Sequence, residues 1–166
     1  MENRKFNQWR LVTRLGISIG LSLLSNPGGA TPAGTTPIGT IQVIVEGIRE
    51  EVGTIRLALD NTEETYLGKL SPDFRTGSAP ATGTKTIFEF HDIPVANYAL
   101  KIFHDANDNE KLDTNLLGIP SEPYGISNDA RGVFGLPNFE DAIFKHKGPL
   151  TILTITLKTH LPRVSH

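Results

Sequence analysis

Hydrophobic and polar residues alternate in several short runs of this chain, and this period of two is the feature that most constrains its fold. β-branched and aromatic residues are frequent in these runs, which is typical of strands that bury one face. The five strands predicted in this way cover residues 41–45, 55–59, 86–90, 98–104 and 150–157. No run keeps a helical period, and the one helix predicted is short, at 138–144 with Asn138 as its N-cap. The pattern therefore predicts an all-β fold.

Sixteen glycines and eleven prolines indicate many turns between short strands. The first two strands are predicted to form a hairpin, and a weak further strand is expected at 66–69. Over residues 40–160 we expect an immunoglobulin-like or prealbumin-like β-sandwich of about seven short strands, with a small barrel as the alternative. Residues 105–149 are expected to form one long irregular loop, which is too rich in apolar residues, Leu116 and Leu117 among them, to be disordered.

The first 30 residues have the three parts of a secretory signal peptide. Four basic residues precede the apolar run 15–24, and small residues lead to Ala30. A retained membrane anchor is the alternative, but this run is far shorter than the roughly 20 residues that span a bilayer. We therefore expect cleavage after Ala30, a linker rich in Pro, Gly and Thr at 31–39, and a periplasmic or secreted domain without a membrane span.

The composition excludes several classes of function. The chain has no cysteine, which excludes disulfides, thiolate metal sites and a cysteine nucleophile. Its net charge of −2 provides no basic surface for nucleic acid. Five histidines are present, but none has the His-x-His or His-x-x-x-His spacing of a zinc site. His91 and His104 lie near the ends of two predicted strands, and they would approach each other if those strands paired.

Oxygen-bearing side chains recur at alternate positions directly after the predicted strand 98–104. Calcium binds six to eight oxygen ligands, and a tight turn can deliver them from alternate residues. Side chains at the first, third, fifth and ninth loop positions and the carbonyl at the seventh match that spacing: Asp105, Asn107, Asn109, Asp113 and the carbonyl of Lys111. Because all of these ligands are hard oxygens, the cofactor predicted is a structural calcium ion.

Two positions of this loop depart from the usual calcium loop. Glu110 occupies the place of the sharp-turn glycine, so it must adopt a positive φ or distort the turn. Leu116 stands where a bidentate Glu is expected, so a further ligand must come from Asn115, a distant carboxylate or water. The alternative is a turn without metal, in which the Asp and Asn side chains cap their own backbone.

A second candidate site lies in the loop 118–132, which Gly and Pro residues shape. Its polar and aromatic side chains, which are suited to a small polar ligand, are Glu122, Tyr124, Asn128, Asp129 and Arg131. The alternative is that Arg131 pairs with Asp129 or Glu122 and holds the loop in place. No serine lies in a Gly-x-Ser-x-Gly motif, so a serine nucleophile is not predicted.

Several motifs together resemble a known bacterial family. They are 90–94 (FHDIP), 98–105 (YALKIFHD), 111–120 (KLDTNLLGIP), 122–131 (EPYGISNDAR) and 139–142 (FEDA). Over residues 40–158 the chain resembles a family of secreted bacterial proteins known as the domain of unknown function 2141, which implies no activity. The family usually has Gly where this chain has Glu110. The spacing of Pro94, Tyr98, Leu100 and Asp105 is also similar to prealbumin-like and surface-adhesin sandwich modules, an analogy of fold alone.

These features predict an exported, non-enzymatic binding or structural module with a calcium-braced loop. A cell-envelope protein or a glycan is the partner expected for such a module. Two alternatives use the loop 118–132. One is a small periplasmic hydrolase with Glu122, Asp129, Arg131 and a nearby histidine, and the other is a carbohydrate-binding module with Tyr124 and Asn128.

Overall fold

The computed structural model describes residues 36–69, 73–132 and 135–159. These residues form eight strands, two short α-helices and one 3-10 turn at Ser127–Asp129. The strands are β1 Ile38–Glu46, β2 Thr54–Asp60, β3 Arg75–Pro80, β4 Lys85–Pro94, β5 Ala96–Asp105, β6 Tyr124–Ile126, β7 Phe144–His146 and β8 Leu150–Thr156. The helices are α1 Glu63–Tyr66 and α2 Phe139–Ala142. The predicted all-β sandwich is confirmed, while its assignment as immunoglobulin-like or prealbumin-like stays a prediction.

The strands form two sheets. Sheet A has the order β4-β1-β8, with β4 antiparallel and β8 parallel to β1. Sheet B has the order β3-β2-β5-β6, and β7 pairs with the same strand β5 farther along its length. The predicted hairpin of the first two strands is wrong, because β1 lies in sheet A and β2 in sheet B. Alternation shows which face of a strand is buried, but it does not identify the neighbouring strand.

The main core lies between the two sheets. Alternate residues of the strands point into it, as the period of two predicts: Ile41, Val43, Val45, Ile55, Leu57, Leu59, Tyr98, Leu100, Ile102 and Ile155. On one side, Gly77 of β3 faces Phe88 of β4, and a Cβ at Gly77 would lie 3.3 Å from that ring. On the other side, Lys158, which lies two residues after β8 of sheet A, pairs with Tyr124 of sheet B. The two sheets therefore approach each other at both edges.

A second, smaller core covers the outer face of sheet B. Its buried members are Tyr66, Ala99, Tyr124, Ile126 and Ala142, and Phe139 and Leu112 pack against them. The rings of Tyr66 and Phe139 lie 5.4 Å apart, in the range of favourable aromatic pairs. Because this layer comes from both short helices and from the segment after β5, sheet B has apolar neighbours on both faces.

Three elements differ from their prediction. The expected strand at 66–69 is absent, because α1 ends at Tyr66 and a turn follows at 67–69. The N-cap of α1, Thr62, accepts a hydrogen bond from Thr65 N at 3.3 Å. β3 was not predicted, since its sequence RTGSAP has little apolar character. The segment 105–149 is not one irregular loop, because it contains β6, α2 and β7. α2 begins after Asn138 as predicted, although that side chain makes no capping hydrogen bond.

The predicted signal peptide, 1–30, and most of the predicted linker lie outside the described residues. β1 begins at Ile38, two residues before the predicted start of the domain. In the described part of the chain, no helix is both long and apolar enough to cross a membrane.

Candidate functional site

The predicted calcium loop begins at the end of β5. Asp105 is the last residue of β5, pairs with Thr54 of β2, and has a fully buried side chain. The preceding turn passes very close, because a Cβ on Gly53 would overlap the carbonyl oxygen of Asp105. Gly53 has a φ of +73°, so both its conformation and the space around it require glycine. The loop therefore starts from a rigid point of sheet B.

Asp105 organises the first half of the loop. Its Oδ1 accepts a hydrogen bond from Asn109 N at 3.0 Å, and its Oδ2 accepts one from Glu110 N at 2.9 Å. Arg56 of β2 also donates from Nε to Oδ2, at 2.5 Å. Burial alone would raise the pKa of Asp105, but the hydrogen bonds from Arg56, Glu110 and Asn109 outweigh it and lower this pKa below its ordinary value. Asp105 is therefore ionised at neutral pH.

The second half of the loop converges on Asp113. Asn107 Nδ2 donates to Asp113 Oδ2 at 2.8 Å, and Asn109 Nδ2 donates to Asp113 Oδ1 at 2.9 Å. The oxygens of the same amides accept backbone hydrogen bonds within the turn, from Asn109 N at 3.2 Å and from Lys111 N at 2.8 Å. Three of the five predicted metal ligands thus meet through their side chains, while Asp105 contacts only the backbone of the loop. These contacts are also those of the predicted Asx-rich turn.

Glu110 has a φ of +65°, so it adopts the backbone conformation that the glycine of a calcium loop would take. Of the two outcomes expected for this residue, a positive φ or a distorted turn, the structure has the positive φ. The side chain of Glu110 points toward Arg56, with Oε1 3.8 Å from Nη1. Asp108 also has a positive φ, and its carboxylate accepts a hydrogen bond from Thr54 Oγ1 at 2.6 Å. A left-handed conformation costs a residue with a side chain about 1–2 kcal/mol.

Glu122 joins the two ends of this loop, although the sequence placed it in the other candidate site. Its Oε1 accepts a hydrogen bond from Ala106 N at 2.9 Å, and its Oε2 accepts one from Asp113 N at 3.0 Å. Glu122 is buried, so this bridge is shielded from water. Leu112, between the two ends, packs against the smaller core. The base of the loop is thus held by one carboxylate and one apolar side chain.

In the tip that follows the loop, hydrogen bonds to a side chain hold the backbone, and apolar side chains face solvent. Asn115 Oδ1 accepts hydrogen bonds from Leu117 N at 2.9 Å and from Ile119 N at 3.1 Å. Leu116 and Leu117 are both exposed, so they contribute nothing to either core. Apolar packing in this segment therefore comes from Phe139 and its neighbours, while hydrogen bonds to Asn115 hold the tip.

The other side chains of the 118–132 loop make structural contacts in different places. Tyr124 is buried in the smaller core, and Asn128 Nδ2 donates to the carbonyl of Ile143 at 2.7 Å. Arg131 Nη2 donates to Asp129 Oδ1 at 2.9 Å, as the alternative reading of this loop expects. The structure therefore brings Asp129 and Arg131 together and places Glu122 and Tyr124 in other contacts. The ligand site stays a prediction.

A small depression lies beside Asp129. Its cavity volume is about 230 Å³, below the roughly 300–1,000 Å³ of typical ligand pockets. Its other lining residues are Ile126, Thr154, Ile155, Thr156 and Lys158. Hydrogen bonds from Lys158, and then from Arg131, hold the pKa of Asp129 below its ordinary value. Of the five predicted ligand-binding residues, Asp129 alone lines this depression.

His91 and His104 do not assemble with these residues. His91 lies on β4 in sheet A and contacts Thr40, whereas His104 lies on β5 in sheet B and contacts the carbonyl oxygen of Val52 at 2.6 Å. The approach considered for His91 and His104 is therefore wrong, since their strands belong to different sheets. Within the described ranges, no group of three or more His, Cys, Asp and Glu side chains is placed to hold a metal ion. A cation in the 105–113 loop would thus depend on Asn and backbone oxygens beside its carboxylates.

One family of proteins matches most of the folded chain. Residues 43–153 match the family described as "Uncharacterized protein conserved in bacteria (DUF2141)". The matched segment begins in β1, ends in β8 and includes the whole 105–113 loop. No curated protein and no solved structure matches the chain.

Proposed function

The chain belongs to this bacterial family, DUF2141, as its motifs predicted, and we propose that it is an exported, non-enzymatic binding or structural module whose 105–113 loop binds calcium. The calcium ion braces the segment between β5 and β6. Export rests on the sequence pattern of residues 1–30, and it makes a cell-envelope protein or a glycan the expected partner.

The observation that carries the calcium proposal is the convergence of the Asn107 and Asn109 side chains on Asp113. Each Asn Oδ1 already accepts one backbone hydrogen bond, and an amide oxygen has a second lone pair for a cation. Asp113 now receives two amide N–H groups, which a calcium ion would replace as its partner. The positive φ of Glu110 supports the proposal as well, because the turn already has the backbone shape of a calcium loop.

The charge of the loop supports weak binding. Arg56 neutralises much of the charge of Asp105, so Asp113 is the less compensated carboxylate among the proposed ligands. Calcium affinity falls as the number of charged ligands falls, and extracellular modules bind with Kd of about 10⁻⁴ to 10⁻³ M. We therefore expect a Kd in the millimolar range.

Two contacts support a structural effect of the bound ion. Glu122 ties Ala106 to Asp113, and Leu112 packs on the smaller core, so ordering the loop also orders the base of the segment 106–123. A ligand that binds only the folded state stabilises it by mass action. At a calcium concentration ten times Kd, the free energy of unfolding should rise by about 1.4 kcal/mol.

Thermal unfolding in the presence of calcium tests this proposal. The melting temperature should rise with calcium in the millimolar range and much less with magnesium, which requires smaller, more rigid sites. Asp113→Asn should abolish the rise. Asp108→Asn is the matched control, since it removes the same charge from the same loop at a position that is not a proposed ligand. An unchanged melting temperature at millimolar calcium, or equal loss in both variants, would overturn the proposal.

Export has its own test. Expressed with its full N-terminus in a bacterial host, the protein should be found outside the cytoplasm with Thr31 as its first residue, as N-terminal sequencing would show. Recovery of an uncleaved chain from the cytoplasm would contradict export, and it would leave the calcium measurement unaffected.

A further inference from the structure

Lys101 and Asp60, from the neighbouring strands β5 and β2, meet on the outer face of sheet B. Lys101 lies four residues before Asp105, the first residue of the calcium loop. Lys101 of β5 lies opposite Ala58, and Asp60 of β2 lies opposite Ala99, so the two side chains are diagonal neighbours. Lys101 Nζ lies 2.9 Å from Asp60 Oδ2. The side chain of Asp60 is fully buried, and that of Lys101 is 20% exposed. A reactive amine and a carboxyl group are therefore in contact in a site that largely excludes water.

The contact does not have the geometry of a hydrogen-bonded ion pair. Neither oxygen of Asp60 accepts a hydrogen bond of normal angle from the described residues, despite the short distance to Lys101. A buried carboxylate without hydrogen bonds is strongly disfavoured. Burial raises the pKa of Asp60, the opposing effect of Lys101 does not cancel it, and the charge of Asp73 raises it further. The raised pKa favours the neutral acid of Asp60, and the neutral acid is the form that an amine can attack.

The amine is held in place on its other side. Lys101 Nζ donates to the carbonyl oxygen of Tyr66 at 2.9 Å and approaches that of Thr65 at 3.5 Å. The ring of Tyr66 lies under the same nitrogen, 5.4 Å from its centroid. A second carboxylate is also within reach, since Asp73 Oδ1 lies 3.6 Å from Nζ. The cluster thus contains an amine, an acid and a separate group that can carry protons.

We propose that Lys101 and Asp60 form an intramolecular isopeptide cross-link between β5 and β2, with Asp73 carrying the protons. Asp73 accepts one proton from the Lys101 ammonium, and the free amine attacks Cγ of neutral Asp60. The Nζ–Cγ bond forms, the bond from Cγ to the acid hydroxyl breaks, and a second amine proton leaves with that hydroxyl as water. The products are one amide, one water molecule and protonated Asp73, which then releases its proton to solvent.

The surroundings favour this reaction over hydrolysis of the amide. Both groups are fixed on adjacent strands, and such positioning can be equivalent to an effective concentration of about 10⁵ M or more. Since the site is largely closed to solvent, the water formed leaves and is not readily replaced. The product also replaces a buried acid and a partly desolvated ammonium group by a neutral amide, which is easier to bury.

A second lysine–aspartate pair provides the contrast. Lys158 Nζ lies 2.7 Å from Asp129 Oδ2, which is closer than the buried pair. Asp129 is exposed, however, and Lys158 and Arg131 lower its pKa, so its carboxyl group stays ionised. An ionised, solvated carboxylate does not react with an amine. Proximity alone therefore does not select Lys101 and Asp60, whereas proximity together with burial does.

The mass of the purified full-length chain tests the proposal. The measured mass should be lower, by one water molecule, than the mass calculated for the chain from its observed first residue to its last. After tryptic digestion, the peptides 57–69 and 86–111 should be found joined through Asp60 and Lys101. Lys101→Arg keeps the positive charge but cannot form the amide, so it should have its full calculated mass. Lys158→Arg is the matched control and should keep the deficit.

Asp73→Asn tests the proton carrier, because it should convert far more slowly than the wild type during refolding. A folded wild-type chain with the full calculated mass would overturn the cross-link. A mass deficit that persists in Lys101→Arg would overturn it too, since the lost water would then come from elsewhere. Complete conversion of Asp73→Asn would remove Asp73 from the reaction.

Discussion

Arg56 of β2 donates from Nε to Asp105 Oδ2 of β5, at 2.5 Å, across the outer face of sheet B. The same two strands carry a second diagonal pair of opposite polarity, in which Asp60 belongs to β2 and Lys101 to β5. Each strand thus contributes one basic and one acidic residue to the face that the loop and α1 cover. The Arg56 pair has hydrogen-bond geometry and stabilises the ionised form of its aspartate, whereas the Lys101 pair lacks that geometry.

Replacement of Arg56 tests the first pair. Arg56→Met leaves Asp105 buried without its cation, and breaking a buried pair in this way costs about 3–5 kcal/mol. Arg56 is partly exposed, so we expect the lower end, about 3 kcal/mol, in urea unfolding at pH 7. Arg49→Met, at an exposed position, should change the free energy of unfolding by less than about 0.5 kcal/mol. Equal effects would show that the pair does not stabilise the fold.

The same pair predicts the response to acid. The pKa of Asp105 is lowered in the folded state, so its contribution to stability is fully present above the pKa of the unfolded state, about 3.9. That contribution is lost as the pH falls through the lower, folded-state pKa. The free energy of unfolding should therefore decrease below about pH 4, and less steeply in Asp105→Asn. An equal slope in the variant would assign the acid response to other groups.

Glu122→Gln should loosen the base of the calcium loop. Glutamine has one acceptor oxygen, so its amide N–H₂ would face the backbone N–H of either Ala106 or Asp113. One buried N–H without a partner costs about 1–3 kcal/mol of unfolding free energy. Amide hydrogen exchange at Ala106 and Asp113 should also accelerate. Glu50→Gln is the control at an exposed glutamate, where exchange and stability should stay as in the wild type.

Glu110 tests the backbone of the same turn. Because its φ is +65°, Glu110→Gly should be more stable than Glu110→Ala by about 1 kcal/mol, since alanine keeps the Cβ that the left-handed conformation disfavours. Both variants lose the weak contact with Arg56, so comparing them isolates the backbone effect. Chemical denaturation measures the difference. An alanine variant as stable as the glycine variant would show that the turn has another conformation.

Tyr66 should titrate at unusually high pH. Burial, followed by the nearby carboxyl groups of Asp60 and Asp141, raises its pKa to about 12. A raised folded-state pKa means that the stabilising effect is present below pH 10 and is lost as the pH rises from 10 toward 12. The tyrosinate absorbance that develops near pH 10 should be the same in the wild type and in Tyr66→Phe, because Tyr66 does not ionise there. If the wild type and Tyr66→Phe differ by a tyrosine of ordinary pKa, Tyr66 is accessible to water.

Local patterns predicted much of the candidate loop. Its Asx hydrogen bonds join residues at most six positions apart, and the spacing of Asp105, Asn107, Asn109 and Asp113 is enough to anticipate them. The positive φ of Glu110 is one of the two outcomes that this spacing allowed, the other being a distorted turn. The roles of Arg56 and Glu122 could not be predicted, because Arg56 reaches Asp105 across 49 positions and Glu122 lies beyond the apolar tip. The acidic and basic residues offered no local signal of which pairs would meet.

Sequence alone determined which residues of each long strand are buried. It also determined that oxygen-bearing side chains follow β5 at alternate positions. Both features depend on the spacing of residues close together in the chain. Only the tertiary structure decided that β1 and β2 belong to different sheets. It also decided that α1 and the loop cover sheet B, and that Lys101 meets Asp60 rather than water. These outcomes depend on the choice among many strands with the same alternation, and that choice is made by packing between distant parts of the chain.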